Sequence, residues 1–152
     1  MKTMKIKHAG AKIFAMLVLI FLFVDSPHHV FPSQEIYIIC HKDVPVDTLN
    51  KSDIKNIFLG KKTSWDNQKK ITIVLLKTDD VYKEFLKVYI KRSAQQYRLY
   101  WRNMVFTGEG FIPKSFKSEE NIIQFVSKTD GAIGFLPFKT DNSEIKYISV
   151  LN

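Results

Sequence analysis

Short apolar runs typical of buried strands alternate along this chain with amphipathic helical stretches, and this alternation constrains the fold more than any other feature. The strand-like runs cover residues 35–40, 71–76, 131–136 and 145–150, and most of them are rich in β-branched and aromatic residues. Helical stripes lie between most of these runs. Such an order predicts an α/β layered domain with a mixed, mostly parallel sheet flanked by helices.

Two consecutive helices are predicted in the middle of the chain. The first begins at Thr78 or Asp79 and carries an apolar stripe as far as Ile90. The second begins at Ser93, whose S-x-x-Q spacing to Gln96 is that of a capping box. We expect the second helix to bury a stripe made of Tyr97, Tyr100, Trp101, Met104 and Val105.

Two shorter helices are predicted on either side of this pair. Ser52 is a suitable N-cap for a helix that ends at Gly60, and Ser118 is a suitable N-cap for a helix whose apolar stripe ends at Val126. The glycines at 131 and 134 suit a strand that starts sharply and that another part of the chain approaches closely.

The N-terminus has the organisation of a secretory signal. Four lysines precede a run of 12 residues without a polar side chain, Ile13 to Val24. Asp25 and Pro27 end this run. A helix of that length spans roughly 18 Å, well short of the ~30 Å hydrocarbon core of a membrane. We therefore interpret residues 1–33 as a signal peptide with a short linker, and residues 34–152 as one exported, periplasmic domain. An uncleaved signal that anchors the protein to the inner membrane is the alternative.

Charge and cysteine content narrow the possibilities further. The chain carries a net charge of +8; residues 1–33 contribute four lysines and one aspartate, which leaves +5 for the domain. This excess slightly favours anionic partners. Cys40 is the only cysteine, so the chain forms no internal disulfide, and its surroundings indicate a buried strand residue.

Several segments, taken in order, resemble the periplasmic phosphate-binding proteins of ABC transporters. Residues 52–61, followed by Trp65, resemble that family's I-F-x-G-K-x-x-x-W segment, and residues 71–75 match the strand after it. Residues 106–108 and 129–135 resemble its P-G-A-I-G-Y strand and the approach to that strand. The resemblance implies a single lobe of a type 2 periplasmic-binding-protein-like fold, from about residue 35 to residue 150.

The resemblance also implies where a ligand would bind. In the family, a Gly-Ser-Gly-Thr turn after the strand opens a helix and binds phosphate, whereas here that place reads Lys77-Thr78-Asp79-Asp80, without a glycine. Lys77 and Thr78, at a helix N-terminus, are the first candidates for an oxyanion site. Thr107 and Gly108 are the next, in a loop that we expect to approach from the same end of the sheet.

Other chemistry finds little support in the sequence. No glycine-rich nucleotide loop occurs, and a Cys40–His41 pair offers too few ligands for a metal site, so no cofactor or metal is predicted. The adjacent acids at 79–80 and 119–120 fit the first turns of helices better than a catalytic pair. The basic residues between 87 and 102 lie mainly off the apolar stripe, so we expect no nucleic-acid partner.

Two functions remain after these exclusions, and an enzyme is not expected. The first is an exported module that binds phosphate or another oxyanion for an ABC transporter. The second is a periplasmic accessory protein that keeps the fold, has lost the ligand, and contacts an inner-membrane transporter or sensor. The missing glycine turn favours the second function, whereas the family resemblance favours the first.

Overall fold

One sheet of six strands organises the part of the chain that the computed structural model describes, residues 35–151. The signal segment predicted at residues 1–33 lies outside these residues and stays a prediction. In chain order the strands are β1 (Tyr37–His41), β2 (Thr48–Asn50), β3 (Thr72–Leu76), β4 (Lys114–Phe116), β5 (Ala132–Leu136) and β6 (Ile145–Leu151).

The strand order is β2-β6-β1-β5-β3-β4, and five of these strands run in one direction. β3 is parallel to both β4 and β5, and β6 is parallel to β2. β1 lies between β5 and β6 and is antiparallel to both, with Ile39 opposite Gly134 on one side and Tyr147 on the other. The sheet is therefore mixed and mostly parallel, as the sequence predicted.

Four helices complete the described domain. They are α1 (Lys51–Phe58), α2 (Asp79–Phe85), α3 (Ala94–Phe106) and α4 (Glu119–Ser127). α2 continues into a π-helical turn, Leu86–Ile90, which ends where Lys91 adopts a left-handed conformation. None of the helices within residues 35–151 has the length and apolarity to cross a membrane.

The helix starts confirm two of the predicted caps and correct a third. The Ser93 N–H donates to Gln96 Oε1 at 2.8 Å and the Gln96 N–H donates to Ser93 Oγ at 3.2 Å, which is the capping box. Ser118 caps α4. The prediction of Ser52 as the first cap was wrong, because Asn50 caps α1 two residues earlier by accepting the Asp53 N–H at 2.8 Å.

Helices cover both faces of the sheet around β5. The Phe85 ring stacks on Phe135 with 3.9 Å between centroids, and Phe58 meets Phe85 edge-on at 4.7 Å, so α1 and α2 lie on the face to which Phe135 points. Neighbouring strand residues point to opposite faces. Position 134 accordingly faces α4, where a Cβ on Gly134 would lie 3.1 Å from Ile122 Cδ1.

The apolar stripe of α3 is narrower than the sequence predicted. Tyr97 and Trp101 are buried, and the Tyr97 hydroxyl donates to the Phe58 carbonyl at 2.6 Å. Val105, placed in the core by the sequence, is 43% exposed, so that prediction was wrong. Each helical residue turns by about 100°, so Val105 lies about 80° round the helix from Tyr97, whereas Met104 lies only about 20° from it.

Candidate functional site

Three helices begin at the carboxyl ends of the parallel strands, and we call this side of the sheet the carboxyl edge. α1, α2 and α4 follow directly after β2, β3 and β4, with Asn50, Thr78 and Ser118 as their N-caps. The first N–H groups of a helix lack intrahelical partners and carry partial positive charge. Open α/β folds bind their ligands at this carboxyl edge.

Thr78 differs from the other two N-caps at the carboxyl edge. Asn50 and Ser118 each accept a hydrogen bond from their own helix, whereas Thr78 makes no side-chain cap bond. Its hydroxyl oxygen is shielded from solvent and has no hydrogen-bond partner within the described residues. Buried polar atoms are nearly always paired, so an unpaired hydroxyl at this position is unusual. The Thr78 side chain therefore retains unused hydrogen-bonding capacity.

The charges around Thr78 have both signs. Lys77 follows β3 and Lys117 follows β4, and both side chains are exposed at the carboxyl edge. Asp80 is exposed in the first turn of α2. At close range its carboxylate would oppose an anion by about 1 kcal/mol or more, even in a high dielectric. The edge is therefore less favourable to an anion than the lysines alone suggest.

Thr107 and Gly108 lie at the opposite end of β3 from Lys77 and Thr78. Thr107 ends α3, and its hydroxyl donates to the Asn103 carbonyl at 3.1 Å. Gly108 lines a cleft together with residues from the amino end of β3. The expected approach from the same end was wrong, because β4 runs parallel to β3 and the chain must return to the amino edge before β4 begins.

A cleft of about 650 Å³ lies beside the amino end of β3. That volume is within the usual range for ligand pockets. Most of its lining comes from three parts of the chain, which are the loop after α1, residues 70–73 and residues 108–114, and Trp101 of α3 and Phe125 of α4 complete it. Its lining includes Gly60, Lys62, Lys70, Ile71, Thr72, Ile73, Trp101, Gly108, Glu109, Gly110, Phe111, Ile112, Pro113, Lys114 and Phe125.

The cleft coincides with a gap in the sheet. β4 pairs with β3 only along Val74–Leu76, so the earlier residues of β3 have β5 on one side and the cleft on the other. The Thr72 N–H donates to Gly131 on the β5 side, and the Lys77 N–H donates to Phe116 on the β4 side. Main-chain groups alternate in direction along a strand, so those of Ile73 face the β4 side. The pairing of Val74 with Lys114 occupies the Ile73 carbonyl, which leaves the Ile73 N–H to face the cleft.

Large apolar side chains are exposed in the segment that runs from the end of α3 to β4, most of which lines the cleft. Phe106 is 91% exposed, Phe111 87% and Ile112 64%, and we call these three residues the apolar rim. Phe111 and Ile112 also line the cleft. The sequence reasoning missed this surface, although an apolar pair directly after the Gly108–Gly110 turn, outside any periodic stripe, was a usable signal.

A separate cluster at the end of β1 has the donor types of a metal site. One donor atom each from His41, Asp43 and Asp130 lie within 4.8 Å of one another. The Lys69 ammonium is 3.5 Å from Asp130 and 4.0 Å from Asp43, so a lysine already balances both carboxylates. We interpret this cluster as an ion-pair network that ties β1 to the start of β5.

Cys40 is a buried core residue, as predicted. Burial raises the pKa of its thiol to about 12, although Lys146 partly opposes the increase. The neutral thiol is a poor nucleophile and a poor metal ligand.

Comparison with known proteins identifies the fold. No family model and no curated protein matches the sequence. Among solved structures, a protein from Clostridium perfringens assigned as a phosphate ABC transporter substrate-binding protein, with bound phosphate, shares 23% identity at a TM-score of 0.57. An ABC-type phosphate transport receptor from Vibrio cholerae shares 16% identity at 0.58, and PstS from Borrelia burgdorferi shares 13% at 0.55.

These similarities establish the fold that the sequence resemblance implied. Each of the three covers 76% of this chain but only 44%, 45% and 46% of the respective neighbour, so this chain spans less than half the length of the proteins that it matches. The mixed, mostly parallel sheet with helices on both faces is the periplasmic-binding-protein-like fold of these neighbours.

Proposed function

We propose that this domain is an exported, binding-protein-like interaction module that contacts another protein through the cleft and the apolar rim. The exposure of Phe111 and Ile112 in the lining of a cleft, with Phe106 exposed a few residues earlier in the chain, carries the proposal. Clustered apolar side chains on a surface are costly to keep in water, and large exposed patches mark interaction sites. The partner that best suits an exported accessory protein is an inner-membrane transporter or sensor.

The carboxyl edge supports this choice over a phosphate carrier. No glycine turn follows β3, and the exposed Asp80 carboxylate lies in the first turn of α2. The four residues that the sequence suggested for an oxyanion are divided between the two ends of β3. We therefore favour a domain that keeps the fold of a binding protein and acts by contacting a partner, and we expect no catalysis.

Site-specific photo-crosslinking in cells that express the protein tests the interaction. A benzophenone side chain in place of Phe111 should give one major adduct, whose partner mass spectrometry identifies. The same group in place of Phe138, which is 44% exposed after β5, is the control for non-specific capture. Ile112→Glu should abolish the adduct at position 111 while the circular dichroism spectrum is unchanged. Equal adducts at positions 111 and 138 would reject the proposal.

A second candidate function is oxyanion binding at the carboxyl edge, and the unpaired hydroxyl of Thr78 favours it. Phosphate at this edge would accept hydrogen bonds from that hydroxyl and from the first N–H groups of α2, with Lys77 adding a positive charge. Phosphate bound to the Clostridium perfringens neighbour is consistent with this chemistry. Thr107 and Gly108, at the other end of β3, would take no part.

Calorimetry with phosphate and with sulfate tests the second function. Thr78→Ala should weaken any binding, and Asp80→Asn should strengthen it by removing a repulsive charge. Binding that Thr78→Ala leaves unchanged would place the site elsewhere. The absence of heat in the wild type and in both variants at millimolar ligand would reject oxyanion binding.

A further inference from the structure

We infer that the occupant of the cleft is an extended peptide segment in which carboxylates alternate with aliphatic side chains, and that it lies beside the amino half of β3. The inference rests on the proposed function, since it names the part of the partner protein that the cleft receives. Three independent properties of the cleft support it: its main chain, its charge and its apolar lining.

The main chain of the cleft suits an extended strand. The gap beside Ile73 is the place that a longer β4 would fill, and the alternation of main-chain groups turns the Ile73 N–H toward it, whereas the Ile73 carbonyl pairs with the start of β4. The Ile71 N–H already donates to the Thr63 carbonyl at 2.8 Å, which closes the far end of the gap. An added strand is a common way to recognise a peptide, because main-chain bonds give affinity and side-chain pockets give specificity.

The charge of the cleft selects for an acidic segment. Three lysines line it and Glu109 is its one acidic residue. Lys62 is balanced by Asp66 at 3.3 Å, whereas Lys70 and Lys114 have no ion-pair partner within residues 35–151. Lys114 instead places its ammonium 4.3 Å from the centre of the Phe125 ring. Two lysines are therefore free to pair with carboxylates.

The lining also selects for an aliphatic side chain. The Trp101 ring lies against two glycines, since a Cβ on Gly60 would come within 2.7 Å of the ring and one on Gly110 within 3.2 Å. Any larger residue at Gly60 would have to displace the indole. The largely buried Trp101 ring and the exposed Phe111 and Ile112 together give the cleft an apolar lining.

Two fluorescein-labelled pentapeptides test the inference, one with the sequence Glu-Val-Glu-Val-Glu and one with lysine in place of each glutamate. Fluorescence anisotropy with the wild-type protein at low salt should show that the acidic peptide binds about tenfold or more tightly than the basic one, since each exposed ion pair contributes up to about 1 kcal/mol. Valine-to-serine replacement in the acidic peptide should weaken binding. Equal affinities for the acidic and basic peptides, or no binding of either, would overturn the inference.

Two charge-reversed double variants distinguish binding at the cleft from a general effect of the domain's net charge. Lys70→Glu with Lys114→Glu should reverse the preference in favour of the basic peptide. Lys77→Glu with Lys117→Glu makes the same change in net charge at the carboxyl edge and should leave the acidic peptide preferred. If both double variants shift the preference equally, the binding is non-specific and the inference fails.

The peptide and crosslinking experiments fail independently. A specific adduct at position 111 without binding of the acidic peptide would overturn the inference and leave the proposed function standing. Specific binding of the acidic peptide without an adduct would support the chemistry of the cleft and reject the proposed function in those cells.

Discussion

The indole N–H of Trp65 donates to the main-chain carbonyl of Gly131 at 3.0 Å, which joins two residues 66 positions apart. The bond ties the loop after α1 to the start of β5. Gly131 also adopts φ +72°, and a Cβ there would lie 2.3 Å from the Lys70 carbonyl oxygen. Only glycine satisfies both conditions, so this turn fixes how the loop, β3 and β5 meet.

Gly131→Ala should therefore lower the free energy of unfolding by about 3 kcal/mol or more, through a left-handed backbone conformation and a steric clash. Gly108→Ala is the matched control, because Gly108 has φ +74° but open space around its Cβ position. We expect about 1 kcal/mol there. Chemical denaturation measures both values, and equal losses would show that the clash with Lys70 is absent.

Trp101 and Val105 differ in burial although they lie on one helix. Trp101→Ala should cost roughly 3–5 kcal/mol, because it removes a large buried ring. Val105→Asp should change the free energy of unfolding by less than about 1 kcal/mol, since the side chain is 43% exposed. Thermal and chemical unfolding check the pair. A Val105→Asp variant that fails to fold would show that Val105 belongs to the core.

The cap of α1 offers a test of a corrected residue. Asn50→Ala should destabilise the protein by about 1 kcal/mol, because it removes the acceptor for the Asp53 N–H. Ser52→Ala, within the helix, should be neutral or slightly stabilising, since alanine has the higher helix propensity. Urea unfolding of both variants distinguishes them; a larger loss for Ser52→Ala would contradict the Asn50 cap.

Cys40 should be inert to thiol reagents until the protein unfolds. Burial raises the pKa of its thiol from 9.0 to about 12, so the unfolded chain ionises first as pH rises. The contribution of this thiol to stability is present below pH 9 and is lost progressively between pH 9 and about pH 12. Labelling with a disulfide reagent at pH 8, with and without denaturant, checks it. Rapid labelling of the native protein would show that Cys40 is accessible.

The predicted signal at residues 1–33 leads to an expectation about the mature protein. We expect the protein in the periplasmic or membrane fraction of expressing cells, and N-terminal sequencing should distinguish a cleaved from an anchored form. A chain that begins at Met1 in the cytoplasm would contradict export.

The sequence was sufficient to predict the layered architecture and the longer elements, because these have strong periodicity. The strands β3, β5 and β6 and the capping box of Ser93 were all predicted. The strands β2 and β4 were not. Each has three residues, too few for an alternating pattern, and pairing with a neighbouring strand defines them.

The location of the candidate site could not be predicted from local sequence patterns, for a different reason. Lys77 and Thr78 follow a strand, so their position at the carboxyl edge could be anticipated. The position of Thr107 and Gly108 depends on the direction of β4, which has no sequence pattern of its own. The cleft depends on where β4 stops pairing with β3, and only the assembled sheet defines that point.

Both borders of the sheet are formed by strands of three residues, β2 and β4. Long, flat edge strands let copies of a protein join into fibrils, and short edge strands with charged side chains hinder this growth. Lys114 at the start of β4 and Pro113 before it, which has no N–H to donate, act in the same sense. The domain can thus leave the gap beside the amino half of β3 open while offering sister molecules little edge on which to aggregate.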